Sequence, residues 1–228
     1  MVARFLPALA TVLLLSSGCS TMGTLHGARP LEPGEHMMQA ALSLQKQTNP
    51  LSTALDAPLP QIELGYRRGL ATDLDWGARI FLFGAATDLR YRFAKLGSFD
   101  IATQPTLAFS TLPTPATGFG NLDLGLPIVA ETDLGKNDKG SLVLSARTVG
   151  RQHFAWLTDP TLGSGTGGRF ELLAGGGVRL SRRFRRLRIG GYADVLVNTS
   201  RLGPLWWTGG LDLALVLGQP RAPTSEAP

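Results

Sequence analysis

The chain of 228 residues has one cysteine, three histidines and only 7% aromatic residues. A single cysteine excludes an internal disulfide and a thiolate metal cluster. His26, His36 and His153 have no ligand-like spacing, so neither a metal nor another cofactor is expected. No apolar run reaches the ~20 residues a membrane-spanning helix needs, and no stretch sustains the 3.6-residue period of an amphipathic helix. There is no Gly-x-Ser-x-Gly elbow, and GSGTGG at 163–168 lacks the Lys-Ser/Thr ending and following helix of a phosphate loop. The net charge of +5 is too small to argue for nucleic acid. No enzyme is expected from these absences.

What the chain does contain begins at its first residues. Arg4 precedes an apolar run over 5–15, and Ser16, Ser17 and Gly18 are small. That order is the plan of an export signal. The small residues directly before Cys19 resemble the bacterial lipobox, with Ser16 standing where leucine is usual. The resemblance implies cleavage after Gly18 and acylation of Cys19. Ser20, the next residue, implies sorting to the outer membrane, with the anchor facing the periplasm. Loss of residues 1–18 removes Arg4 and no acid, leaving a net charge of +4.

The expected domains are a lipoprotein signal peptide at 1–18, a flexible lipid-anchored tether at 19–34, a β-barrel at 35–218 and a disordered tail at 219–228. The tether and tail are polar, rich in Gly and Pro, and without period. Between them, apolar and polar residues alternate with a period of two, which marks strands with unlike faces. Leu74, Trp76, Ala78 and Ile80 oppose Asp75 and Arg79; Leu122, Leu124 and Leu126 oppose Asp123. Ten such segments are expected: 35–46, 60–68, 73–83, 86–95, 98–110, 119–131, 140–150, 168–181, 185–198 and 204–217. They match or exceed the ~9–11 residues of a tilted membrane strand and are longer than the ~5–6 of an average soluble one. The expectation is all-β: an antiparallel up-and-down barrel of about ten strands, of the membrane-embedded type.

Loop lengths and aromatic placement agree with that expectation. With both termini on the periplasmic side, the inner turns near 69–72, 96–97 and 182–184 are short and the outer loops 47–59, 111–118 and 151–167 longer, with the inner 132–139 and the outer 84–85 out of pattern. Tyr66, Trp76, Phe93 and Phe99 fall at the periplasmic strand ends, where an aromatic girdle belongs. In this arrangement Glu63, Arg79, Asp88, Arg90, Arg92, Asp123, Arg169, Glu171 and Asp212 point into the lumen. They either pair and fill it or line a narrow pore. Around RLSRRFRRLR at 179–188, Arg182, Arg183, Arg185 and Arg186 form a basic turn suited to anionic lipid head groups.

The stretch ELGYRRGLATDLDWGARIFLFGAATDLRYRF at 63–93 is similar to a hairpin common in uncharacterised bacterial outer-membrane β-barrel proteins. Tyr66, Gly69, Thr72, Asp73, Gly77 and Arg79 carry the likeness. It implies architecture and location, with no catalytic or binding residues. Membrane lipids and the outer-membrane assembly machinery are the partners it implies, although the last strand ends LALVLG rather than on an aromatic. Three functions stay open: a structural or narrow-pore barrel, a periplasmic lipocalin-like carrier of an apolar ligand, and a barrel enzyme acting on acyl chains. The third would use His153 near Ser164 and Asp159.

Overall fold

The computed structural model describes residues 26–48, 59–82, 84–113, 117–135, 140–157, 166–199 and 205–218. Their backbone forms eleven antiparallel strands: β1 His36–Thr48, β2 Leu59–Ala71, β3 Leu74–Phe81, β4 Gly84–Leu96, β5 Phe99–Thr103, β6 Thr106–Pro113, β7 Thr117–Leu134, β8 Gly140–Leu157, β9 Thr166–Phe184, β10 Leu187–Asn198 and β11 Leu205–Leu217. Successive strands pair except β5 and β6, and β1 pairs with β11 through partners such as Ala40 and Leu213. The sheet therefore closes into a barrel, with no edge left open.

Ten positions hold the eleven strands, because β5 and β6 share one. β5 pairs with the end of β4 and with 128–132 of β7, while β6 pairs with the start of β4 and with 118–125. The segment expected as one strand over 98–110 is thus broken at Gln104 and Pro105. Proline has no N–H to give the ladder. The break remains hydrogen-bonded, since Leu89 N–H donates to Pro105 O and Gln104 N–H donates to Pro127 O.

Turns 72–73, 97–98, 135–139 and 185–186 lie at the end where β1 begins and β11 finishes. Gly97 and Gly135 take positive φ there, at 60° and 93°. Of the five connections between strands at the other end, 82–83 and 114–116 are short, and 49–58, 158–165 and 199–204 are longer than any of those turns. Their strands also run further than expected. β8 and β9 take up 151–157 and 166–167 of the loop expected over 151–167, so His153 sits in a strand. This hairpin ladder pairs out to Trp156 and Thr166.

The pleat sorts side chains with charge inside and hydrocarbon outside. Asp123 is fully buried, while Leu122 and Leu124 beside it are 39% and 64% exposed. Ile62, Leu64, Ile80, Leu211 and Leu213 are all exposed, and Arg67, Arg90, Arg151 and Asp75 are all buried. At the turn end, Tyr66, Trp76, Phe93 and Phe99 face outward. The Tyr66 and Trp76 rings meet edge-on at 6.4 Å, and Tyr66 Oη lies 2.5 Å from His36 Nδ1.

Residues 26–34, expected within the flexible tether, are placed inside the turn end of this barrel. His26, Gly27 and Ala28 are buried. The cause is a set of polar partners on the wall that composition alone does not display.

Candidate functional site

Among the described residues the lumen gathers the buried charge, and three layers of side chains occupy it. The first, at the turn end, is made by residues 26–34. Arg29 Nε donates to Asp100 at 2.6 Å, and its Nη1 and Nη2 donate to Asp133 at 2.5 and 2.8 Å. Its backbone N–H donates to Glu131 at 3.1 Å, while Leu31 N–H donates to Asp75 at 2.9 Å. From the wall, Arg90 Nη1 donates to Gly27 O at 2.8 Å. Ala28 joins a small apolar cluster with Ala102, Val129, Val143 and Tyr192, and Leu31 packs with Met37 and Ala214. A Cβ on Gly27 would meet the Glu131 carboxylate and force it to shift. A cavity of about 130 Å³ remains beside the segment, between Arg29, Arg90, Ser181 and Arg188.

The second layer is a set of buried ion pairs. Asp75 accepts from both Arg67 and Arg90, and Arg67 also donates to Asp88. Arg179 holds Asp212 through two bonds of 2.6 and 3.1 Å. Arg147 pairs with Asp194 at 2.5 Å, and Arg79 lies 3.8 Å from Glu63. Such pairs need tight geometry to offset the loss of hydration. Lumen-facing glycines make the room: a Cβ on Gly190 would lie 2.7 Å from both Arg179 Nη2 and Asp212 Oδ2.

The third layer, toward the loop end, is apolar. Val149, Leu173, Leu196 and Trp206 are buried together inside the barrel. Arg151 is fully buried against them, bonded to Asp123 at 2.8 Å with its guanidinium 4.8 Å over the Trp206 ring. That stacking suits a desolvated cation. Beyond it, Glu171 accepts from Arg169 at 2.8 Å and lies 3.2 Å from His153 Nε2.

Of the nine charges expected in the lumen, Glu63, Arg79, Asp88, Arg90, Asp123, Glu171 and Asp212 are buried. Arg92 stands at the turn-end rim, bonded to Asp73 and Asp100, and Arg169 is half exposed at the opposite rim. Arg182, Arg183, Arg185 and Arg186 are exposed at the β9–β10 turn, where Arg182 lies 5.2 Å over Phe184. Cys19, Ser164 and Asp159 lie outside the described residues. His153 is therefore a partner of Glu171 here, with no nucleophile beside it among the described residues.

Sequence reasoning missed Glu131, Arg151 and the inserted Arg29. Arg151 keeps the phase of Arg147 and could have been found by extending that strand. Arg29 has no periodic signal, because its role depends on three acids more than 70 residues away.

No protein-family model matches the chain, and comparison with curated proteins finds no relative. Among solved structures, it is similar to Neisserial surface protein A at 11% identity and TM-score 0.41, over 80% of this chain and 98% of that one. It is also similar to the attachment invasion locus protein Ail of Yersinia pestis, at 13% identity and TM-score 0.37, over 81% and 99%. A third is the outer membrane protease OmpT of Escherichia coli, at 7% identity and TM-score 0.44, over 85% and 99%. Likeness this distant attributes no function to the chain, which must be read from its own residues.

Proposed function

We propose that this chain is a bacterial outer-membrane β-barrel with a structural role, closed at rest and anchored by lipid on Cys19. The observation that carries the proposal is the inverted polarity, with hydrocarbon on the outer wall and paired charge within. In water, that outer wall would present a continuous apolar surface far larger than the few hundred Å² soluble proteins expose. In a bilayer it is solvated, and barrel closure satisfies every strand. The stacked layers in the lumen favour a filled barrel over a narrow pore. They also leave no sizeable apolar cavity among the described residues for a lipocalin-like carrier. The basic turn at Arg182, Arg183, Arg185 and Arg186 is assigned to lipid head groups at the periplasmic surface, where each basic residue gains ~1 kcal/mol near an anionic membrane.

Single cysteines at 64, 80, 124 and 213 in a Cys19→Ser background test the barrel. They should react with a lipid-borne probe and resist an aqueous maleimide, while cysteines at 79 and 123 resist the lipid probe. Silence of the first four toward the lipid probe removes the membrane reading. Mass spectrometry of the mature N-terminus tests the anchor separately, with acyl groups expected on Cys19 and a free thiol counting against it.

A further inference from the structure

We propose that the cavity at the turn end is a binding site for a phosphoryl group, seated between the β9–β10 ladder and the inserted segment 26–34. It goes beyond the structural role proposed above, and it shares only Arg183 with the basic turn assigned to lipid head groups.

The seat is built from charges that the ladders bring to one side. Arg183 and Arg188 are direct partners across β9 and β10, and both line the cavity. Like charges opposite one another repel, and an anion seated between them turns that repulsion into attraction. Arg29 enters from the inserted segment and Arg90 from β4, so four arginines share the lining with two acids, Glu35 and Asp133. Both acids are already engaged. Asp133 accepts from Arg29 at 2.5 and 2.8 Å, and Glu35 accepts from Glu32 N–H at 3.1 Å. Behind the lining, Asp75 holds Arg90 and Glu131 holds Arg188. Among the described residues, Arg183 alone of the four arginines has no carboxylate partner; its Nε donates to Arg185 O at 2.9 Å.

Hydrogen-bond donors remain for a ligand. A guanidinium carries five N–H groups, and one is used on Arg183 and one on Arg188. Ser141 Oγ and Ser181 Oγ lie 2.8 Å apart in the same lining. Whichever of them donates, the other keeps its O–H for a further acceptor. These groups come from β8, β9, β10 and the inserted segment, and so from several directions. A carboxylate offers two oxygens in one plane, whereas a phosphoryl group offers oxygens on several sides and binds arginine through paired N–H donors. The volume of about 130 Å³ is that of a few waters, which suits one phosphoryl group and is too small for a nucleotide. A group held there would tie the inserted segment to the ladder through Arg29, Arg183 and Arg188.

The test uses the full chain in uncharged maltoside micelles, titrated with inorganic phosphate and, separately, with chloride at equal ionic strength. Calorimetry should show one saturable site for phosphate and none for chloride. Arg183→Gln removes a charge without stranding a carboxylate, and it should weaken phosphate binding about tenfold or more. Ser181→Ala should weaken it less. Arg182, on the other face of the same strand over Phe184, is the control: Arg182→Gln should leave phosphate affinity unchanged. The gel shift of the heated form checks that each variant is folded. Equal affinity in the wild type and Arg183→Gln, or equal binding of chloride, overturns the proposal, because charge screening at the turn then accounts for the result. Competition identifies the source of the phosphoryl group. Displacement of phosphate by short-chain phosphatidate in the micelle assigns the seat to a lipid head group, and displacement by glycerol phosphate alone assigns it to a soluble phosphate ester. Displacement by neither leaves inorganic phosphate as the ligand.

Discussion

Asp75 shows how much a single residue carries inside this wall. It accepts from Arg67, from Arg90 and from the Leu31 backbone, and it is fully buried. Asp75→Ala would leave two buried guanidiniums facing one another, at a cost of about 3–5 kcal/mol. Asp73→Ala, which breaks a half-exposed pair with Arg92, should cost ~1 kcal/mol or less. Urea unfolding in micelles, followed by the gel shift of the heated form, measures both. Equal losses would mean that the buried network is not what holds the barrel. Gly190→Ala tests the room given to such pairs. Its methyl would push Arg179 from Asp212, and overpacking of this kind costs ~1–3 kcal/mol. A wild-type melting temperature would contradict the packing described.

At the level of the element, the strands were legible because their neighbours are unlike. Hydrocarbon on one face and charge on the other impose a period of two that a single sequence displays, as in Leu122, Asp123 and Leu124. The break at Pro105 was legible in principle, but a proline signals where pairing fails without showing which neighbour each half keeps. The inserted segment was not legible. Residues 26–34 lack period, and the acids that hold them lie on β3, β5 and β7. Their docking depends on His26. Burial first, then the charges of Arg67, Arg90, Arg79 and Arg179, hold its imidazole well below the ordinary 6.5. A group depressed in the docked state favours docking above its free pKa and opposes it below. As pH falls through about 6.5, undocked His26 takes a proton that the docked form refuses. Protease cleavage within 26–34 should therefore rise between pH 7.5 and 5.5, and His26→Gln should flatten the change. Glu63 and Asp88 border the same recess. Cleavage independent of pH in the wild type would show that His26 does not govern docking.

For the whole molecule, the order of the layers decides whether the barrel can conduct. The inserted segment occupies the turn end, and the apolar cluster of Val149, Leu173, Leu196 and Trp206 lines the lumen on β8–β11 nearer the loops. A hydrophobic constriction blocks ions by excluding water even where the gap is not filled by atoms. Deleting residues 26–33 should then widen the turn-end vestibule without opening a path across. In planar bilayers the wild type and that deletion should both stay silent. Adding Leu173→Ser and Leu196→Ser to the deletion should wet the constriction and give discrete conductance steps, weaker with the two serines alone because Arg29 and its acids still occupy the far end. Steady conductance in the wild type would return the protein to the narrow-pore class. Conductance from the deletion alone would place the whole barrier at the inserted segment, and the apolar layer would be packing only.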